Sequence, residues 1–267
     1  MKKTAGYIVL ILAALAFAYP FIWMMMATFK TEAELAEFSL IPHHPNLQFY
    51  RAAFSKIPLW RGLLNSMLVS GVVTLGVNLV GALTGYVLSQ FRFRGRNLIV
   101  YTLLFCMMIP FQITLIPLYI LMVKLNLIDS YWALILPGLV STFAILMYKQ
   151  FFEQTPQALI DAARLDGCSE LGILFRILFP MSKPVVITVS IITFMGIWND
   201  VLWPIIVIRD KSMMTMPQLV ALLATGGEAQ SLGPQLAAAF LLALPIILVY
   251  LFFQKYFIQS MAHTGFK

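Results

Sequence analysis

Glu153 to Val186 reads EQTPQALIDAARLDGCSELGILFRILFPMSKPVV, and its reading decides the fold. It is a charged, hydrogen-bonding island, too long for a tight turn, in a chain that is otherwise strongly apolar. Thr155 suits a helix N-cap and Pro156 the first helical position, while Gly167 suits the left-handed residue that closes a helix. Helical spacing puts Gln157, Asp161 and Arg164 on one face, and Ala158, Ala162 and Ala163 keep that helix slim enough to enter a cleft. Ser169 suits the cap of a second helix whose Leu171, Leu174, Phe175 and Leu178 form an apolar stripe, stopped by Pro180 and Pro184. The spacing thus predicts two short helices meeting at Gly167. Such an element is either displayed for docking or folded back as a cap on its own bundle.

The flanking sequence explains why an island is needed. Of 267 residues 61% are hydrophobic and only 11% charged, and the mean hydropathy is +0.88. A soluble core cannot absorb so many long apolar runs, so the composition predicts an all-α polytopic membrane protein. The net charge of +7 does not indicate nucleic acid, because the basic residues sit in short loops between apolar runs. Cys106 and Cys168 fall in different environments and read as small apolar fillers, not as a disulfide.

Six spans are expected, at about 6–27, 65–88, 98–121, 131–148, 184–208 and 233–253, within one transmembrane domain over 1–267; the island occupies 150–183. The first run follows Lys2 and Lys3 and contains Ala16-Phe17-Ala18, the form of a signal-peptide cleavage site, but it continues apolar through Met26, which favours an uncleaved span. Thr28 to Gly62 reads as a polar segment, and its His43-His44 pair reads as a surface turn, since a metal site needs three or four ligands. Pro110 and Pro117 should break or bend the third region, with Gln112 and Thr114 nearby to satisfy freed backbone groups. Met216 to Thr225 reads as an amphipathic helix at the membrane surface. With a cytoplasmic N-terminus, 11 of the 18 basic residues lie on the inside, which puts both termini and the island in the cytoplasm.

Polar residues inside spans are costly and are candidates for a solute pathway or gate. Asn78 shares a face with Thr74, Gly81 and Gly85, where Gly81 and Gly85 let another backbone approach closely. Asp200 is the sharpest such residue, flanked by Trp198, Asn199 and Trp203. A pathway role for Asp200 competes with a structural acid bonded to another helix. The tryptophans are equally suited to stack on a sugar face or to anchor at the interface. Asn78, Gln112, Trp198, Asn199, Asp200 and Trp203 form the pathway candidates.

Asp161-Ala162-Ala163, three residues, Gly167, nine residues, Ile177, one residue and Phe179-Pro180 together resemble the EAA signature of ABC importer permeases. Asp161 stands where that family usually has glutamate, and Phe179 where it has leucine. Phe91-Arg92-Phe93-Arg94-Gly95-Arg96, Ile109-Pro110-Phe111-Gln112 and Trp198 to Pro204 extend the likeness to the carbohydrate-uptake type, the smaller six-span permease of maltose-like systems. The resemblance implies that the island is a coupling helix seated in an ATPase groove, with Asp161, Ala162, Ala163, Arg164, Asp166 and Gly167 at the contact. It further implies a second related permease as heterodimer partner, two ATPase subunits, an extracytoplasmic solute-binding protein and a bacterial or archaeal cytoplasmic membrane.

No Gly-Lys dipeptide occurs, so the phosphate-cradling loop of an ATPase cannot be present and nucleotide chemistry falls to a partner. No paired carboxylates, histidine cluster or nucleophile–base pattern lies within the spans, so no catalytic residue, metal ligand or cofactor is assigned. The expected function is therefore a non-enzymatic importer permease for a sugar or oligosaccharide. A polyol or glycerol phosphate ester is an alternative solute, and an ion-coupled secondary transporter using Asp200 is the alternative class.

Overall fold

With 61% of residues hydrophobic, a backbone in lipid has to satisfy its own hydrogen bonds, and the helix does so within one segment. The computed structural model describes residues 2–37, 39–225 and 232–264, and it is helical throughout, without strands among the described residues. In order the helices are α1 (Lys2–Ala27), α2 (Glu32–Leu35), α3 (Gln48–Lys56), α4 (Leu59–Gln90), α5 (Arg96–Met107), α6 (Phe111–Lys124), α7 (Tyr131–Ile135) and α8 (Thr142–Glu153). There follow α9 (Gln157–Leu165), α10 (Glu170–Gly172), a π-helical segment (Ile173–Leu178), α11 (Phe179–Met181), α12 (Lys183–Trp198), α13 (Leu202–Val207), α14 (Met216–Thr225) and α15 (Leu232–Thr264).

Among the described residues four helical stretches are long and apolar enough to cross a membrane: Gly6–Ala27, Leu59–Gln90, Tyr131–Glu153 and Leu232–Val249. Two further regions are bent pairs. α5 and α6 meet at 103°, and the helical run Glu170–Met181 meets α12 at 80°. At about 18 and 21 Å, neither α5 nor α6 alone matches a hydrocarbon core of about 30 Å. The break falls at Pro110, which lacks an N–H and takes an extended conformation, whereas Pro117 is carried inside α6. Thr114 Oγ1 donates to the Phe111 carbonyl at 2.7 Å in the new first turn, and Gln112 points outward, exposed.

The fifth region likewise differs from one straight span over 184–208. α12 ends at Trp198, where Asn199 Nδ2 donates to the Met195 carbonyl at 2.9 Å. Asp200 Oδ1 then accepts the N–H groups of Leu202 (3.0 Å) and Trp203 (3.4 Å), starting α13. A polar Asn-Asp pair thus ends one helix and begins the next. The second span starts at Leu59, six residues before the expected 65, so the polar segment is shorter than its composition suggests.

The chain forms two compact units, one from 1–63 with 215–249 and the other from 64–214 with 250–267. In the first, Thr31 caps α2 in a reciprocal box with Glu34, whose other oxygen accepts the His44 N–H at 2.9 Å. Burial opposes ionisation of Glu34, yet the N–H donors of Thr31 and His44 and the nearby histidines hold it below the usual carboxylate range. α14 is not a surface-lying helix: Met216, Pro217, Gln218 and Leu219 are all buried, and Gly62 leaves room for Leu219. Four consecutive buried residues cannot lie along one amphipathic face.

In the second unit α4 and α8 lie close together. A Cβ on Gly85 would sit 2.7 Å from Tyr148 Cβ and 2.8 Å from the Lys149 nitrogen. That is the close approach the glycine spacing predicts. α12 packs on α8, and α13 packs on α6 and α7. Both cysteines are exposed, so neither fills a core position.

Candidate functional site

The island between α8 and α12 is built by local rules. Thr155 is not the cap of α9; its Oγ1 donates back to the Phe151 carbonyl at 3.4 Å, finishing α8. Pro156 takes the N-cap position with extended backbone (φ −57°, ψ 125°), because a proline there restricts the residue before it to non-helical backbone and moves the boundary on by one. At the other end Gly167 adopts φ +78°. Its N–H donates to the Arg164 carbonyl at 3.0 Å and the Cys168 N–H to the Ala163 carbonyl at 3.0 Å, which is a Schellman closure. Nothing lies within 4 Å of a Cβ built on Gly167, so the residue is required by conformation and not by crowding. Ser169 Oγ then accepts the Gly172 N–H at 3.2 Å and starts the next helix.

α9 buries Ile160 and Ala163 and leaves Ala158, Leu159, Asp161, Ala162 and Leu165 exposed. Gln157 Nε2 donates to Asp161 Oδ1 at 3.2 Å, and Arg164 reaches the same oxygen at 3.4 Å, so the expected shared face exists. Asp161 is nevertheless not the principal partner of Arg164. The guanidinium is taken by Glu170, with Nε on Oε1 at 2.9 Å and a second nitrogen on Oε2 at 3.3 Å. Tyr86 of α4 donates its hydroxyl to the same carboxylate. The Arg164 bonds first, and Tyr86 second, hold Glu170 below the usual carboxylate range, and Arg164 is raised in turn. Asp166 and Gly167 line a groove of about 640 Å³ with Cys168, Ser169, Phe175 and Arg176.

The second helix departs from its expected stripe. Leu174 and Leu178 are fully buried, but Leu171 and Phe175 are exposed, and Ile173 takes a buried place instead. Ile173–Leu178 is π-wound, which turns successive side chains by less than an α-helix does, while Leu171 lies before it, in α10. Pro180 sits inside α11, and the stop comes at Ser182. Phe179 stacks on Tyr148 at 6.2 Å, tying this part to α8.

The pathway candidates are dispersed. Asn78 is buried among helices: its Nδ2 donates to the Thr74 carbonyl (2.8 Å) and to Ser190 Oγ (3.0 Å), and its Oδ1 accepts Tyr148 (2.6 Å). Trp198 is fully buried and stacks on Phe194 at 5.6 Å. Trp203 is buried with its indole N–H on the Ala133 carbonyl at 2.8 Å. Asn199 and Gln112 are exposed, and Asp200 is half-buried at the α12–α13 break. No cluster of three potential metal ligands occurs among the described residues. Sequence reasoning passed over Tyr86 and gave Glu170 no role. The available signal was a pair of opposite charges, Arg164 and Glu170, flanking one glycine turn.

A family model described as a binding-protein-dependent transport system inner membrane component matches residues 77–263. The arabinooligosaccharides transport system permease protein AraQ of Halalkalibacterium halodurans is 34% identical, with both chains covered in full. The sn-glycerol-3-phosphate transport system permease protein UgpE of Escherichia coli is 31% identical over 88% of this chain and 86% of its own. In fold the chain is similar to one in the crystal structure of a bacterial ABC transporter involved in the import of the acidic polysaccharide alginate. The TM-score is 0.84 at 22% identity, with 96% of each chain covered.

Proposed function

The chain belongs to the binding-protein-dependent transport system inner membrane components, and from that premise we propose that it carries a saccharide and is driven through the α8–α12 loop. It is a membrane permease component. The observation that carries the coupling reading is α9 itself: a short helix closed at both ends, anchored by Ile160 and Ala163, with Ala158, Asp161, Ala162 and Leu165 turned outward. A chain without a phosphate-binding loop takes its energy from elsewhere, and this face is the means of reaching an ATPase.

In this reading two ATPase subunits, a second related permease and an extracytoplasmic solute-binding protein complete the importer. On the same reading the chain has six spans, and the basic residues favour both termini and the 150–183 loop in the cytoplasm. Asp161, Ala162, Asp166 and Gly167 form the contact, with Ala163 buried behind them and Arg164 held by Glu170, while Gln112, Trp198, Asn199, Asp200 and Trp203 belong to the pathway bundle and Asn78 ties its helices together. Closure of the ATPase dimer moves α9, and the spans rock between inward and outward access. Saccharide is favoured as solute by the relative aligned along its full length, which is named for arabinooligosaccharide transport. A glycerol phosphate ester is the second reading, favoured by the relative named for that solute. An ion-binding role for Asp200 is disfavoured, because Oδ1 is spent on capping α13.

The test is Gly167→Pro. Proline cannot adopt φ +78°, so the Schellman closure fails while the spans still insert. Uptake should be abolished at normal membrane abundance; normal uptake would overturn the coupling role. Binding measurements on the associated extracytoplasmic protein, with an arabinooligosaccharide and glycerol 3-phosphate compared, decide the solute.

A further inference from the structure

Glu170 stands where three elements meet. It opens α10, its carboxylate takes the guanidinium of Arg164 from α9 at 2.9 and 3.3 Å, and it accepts the hydroxyl of Tyr86 from α4. A bidentate arginine–carboxylate pair fixes direction as well as distance, because both partners are planar. The Tyr86 ring is itself held edge-on between Phe91 (5.9 Å) and Phe152 (6.2 Å), so its hydroxyl has one heading. By contrast, α9 packs on the π segment, where Ile160, Ala163, Leu174 and Leu178 are buried, and Phe179 stacks on Tyr148; the polar ties of Gln90 to the Phe152 carbonyl and of Arg96 to Glu153 hold the end of α8, not α9. Apolar contacts hold the loop near the bundle, but they are non-directional and permit a small rotation or slide.

The exposure of the junction decides what kind of work it does. The side chains of Arg164 and Glu170 are 34% and 42% exposed, and an ion pair so accessible to water adds little to stability. Stability is therefore a poor account of this geometry, while transmission of direction is a good one.

We propose that Glu170 is the positioning residue of the loop, locking α9 to the end of α4 through Arg164 and Tyr86, so that a displacement of α9 reaches α4 instead of being taken up within the loop. This rests on the reading of α9 as the ATPase-contacting helix. Commitment of Arg164 to Glu170 leaves its contact with Asp161 the longer one, at 3.4 Å.

The test uses the assembled importer in proteoliposomes, with solute uptake and ATP hydrolysis measured on the same preparation. Tyr86→Phe keeps the packed ring and deletes one hydroxyl; Glu170→Gln keeps shape and deletes the ion pair. Both should still co-purify with the ATPase and hydrolyse ATP, but uptake per ATP should fall about fivefold or more. Arg164→Lys, which cannot bond in bidentate fashion, should fall between wild type and Glu170→Gln. Wild-type uptake per ATP in both Tyr86→Phe and Glu170→Gln overturns the proposal, as does a Glu170→Gln protein that no longer binds the ATPase while Tyr86→Phe transports normally, since Glu170 would then be a docking residue. If the ATPase fails to co-purify with the unaltered chain, the coupling reading falls and this proposal with it.

Discussion

Of the polar junctions that hold α4, the one at Asn78 and the one at Tyr86 are built from opposite materials. At Asn78 every bond is neutral, those to Thr74 and Tyr148 are buried and that to Ser190 part-buried, and the helices around it are drawn together by Gly81 and Gly85. At Tyr86 the bond runs to a charged, half-exposed acid that also holds an arginine from another helix. A closed neutral knot inside a bundle resists change because opening it leaves polar groups without partners in hydrocarbon. An ion pair in reach of water is replaced by hydration at little cost, so its value lies in direction. The comparison separates a residue that keeps the bundle together from one that lets the bundle be moved.

The largest expected effect lies at the tightest point of the neutral junction. Gly85→Val places new atoms against the Lys149 backbone nitrogen, 2.8 Å from the Cβ position, where no side chain can step aside. Overpacking of this kind costs about 3 kcal/mol, and the variant should lose most of its detergent-stable, monodisperse material in size-exclusion chromatography. A next, smaller effect is expected for Asn78→Val, which strands Ser190 and Tyr148 and should lower stability by about 1–2 kcal/mol. Its uptake per ATP should stay at the wild-type value, opposite to the pattern proposed for Tyr86→Phe. A large fall in that ratio would return Asn78 to the solute pathway and blur the distinction between the junctions.

The smallest effect is one of pH. Glu170 is held below the usual carboxylate range by Arg164 and then Tyr86, so the folded state favours its ionised form. The contribution is full above that range and is lost as pH falls through the lowered folded value. Melting curves of the wild type and Glu170→Gln in detergent should therefore differ slightly at neutral pH and converge on acidification. The gap between wild type and Asn78→Val should stay constant over the same interval, since no carboxylate takes part in that junction.

The two junctions also mark what could be read from the chain. Glycine spacing revealed the α4 interface because a missing Cβ leaves a positional trace, and Gly167 revealed its own turn because few residues accept φ +78°. The long spans were legible from composition. Pro110 marked the break between α5 and α6, and Pro180 and Pro184 the stop before α12, but not the angles, because hydropathy does not register direction: α5 and α6 are as apolar as a straight span would be, yet meet at 103°. Asp200 drew attention as an acid in an apolar region, but its visible bonds cap α13. Tyr86 escaped notice because it looks like any other aromatic in a span. Its meaning depends on a carboxylate 84 residues away in sequence.

The π segment between Ile173 and Leu178 carries one more consequence. It lies between Glu170, which faces Arg164 and Tyr86, and Phe179, which faces Tyr148, and it therefore sets the phase between two fixed contacts. Deleting a single residue there would turn one contact relative to the other by roughly a quarter turn. Composition would be nearly unchanged, and both faces would still be present, but they could no longer be satisfied together. In this stretch the tally of residues is itself a structural quantity, as the tooth count of a gear is, and it fixes whether the carboxylate meets the guanidinium at all.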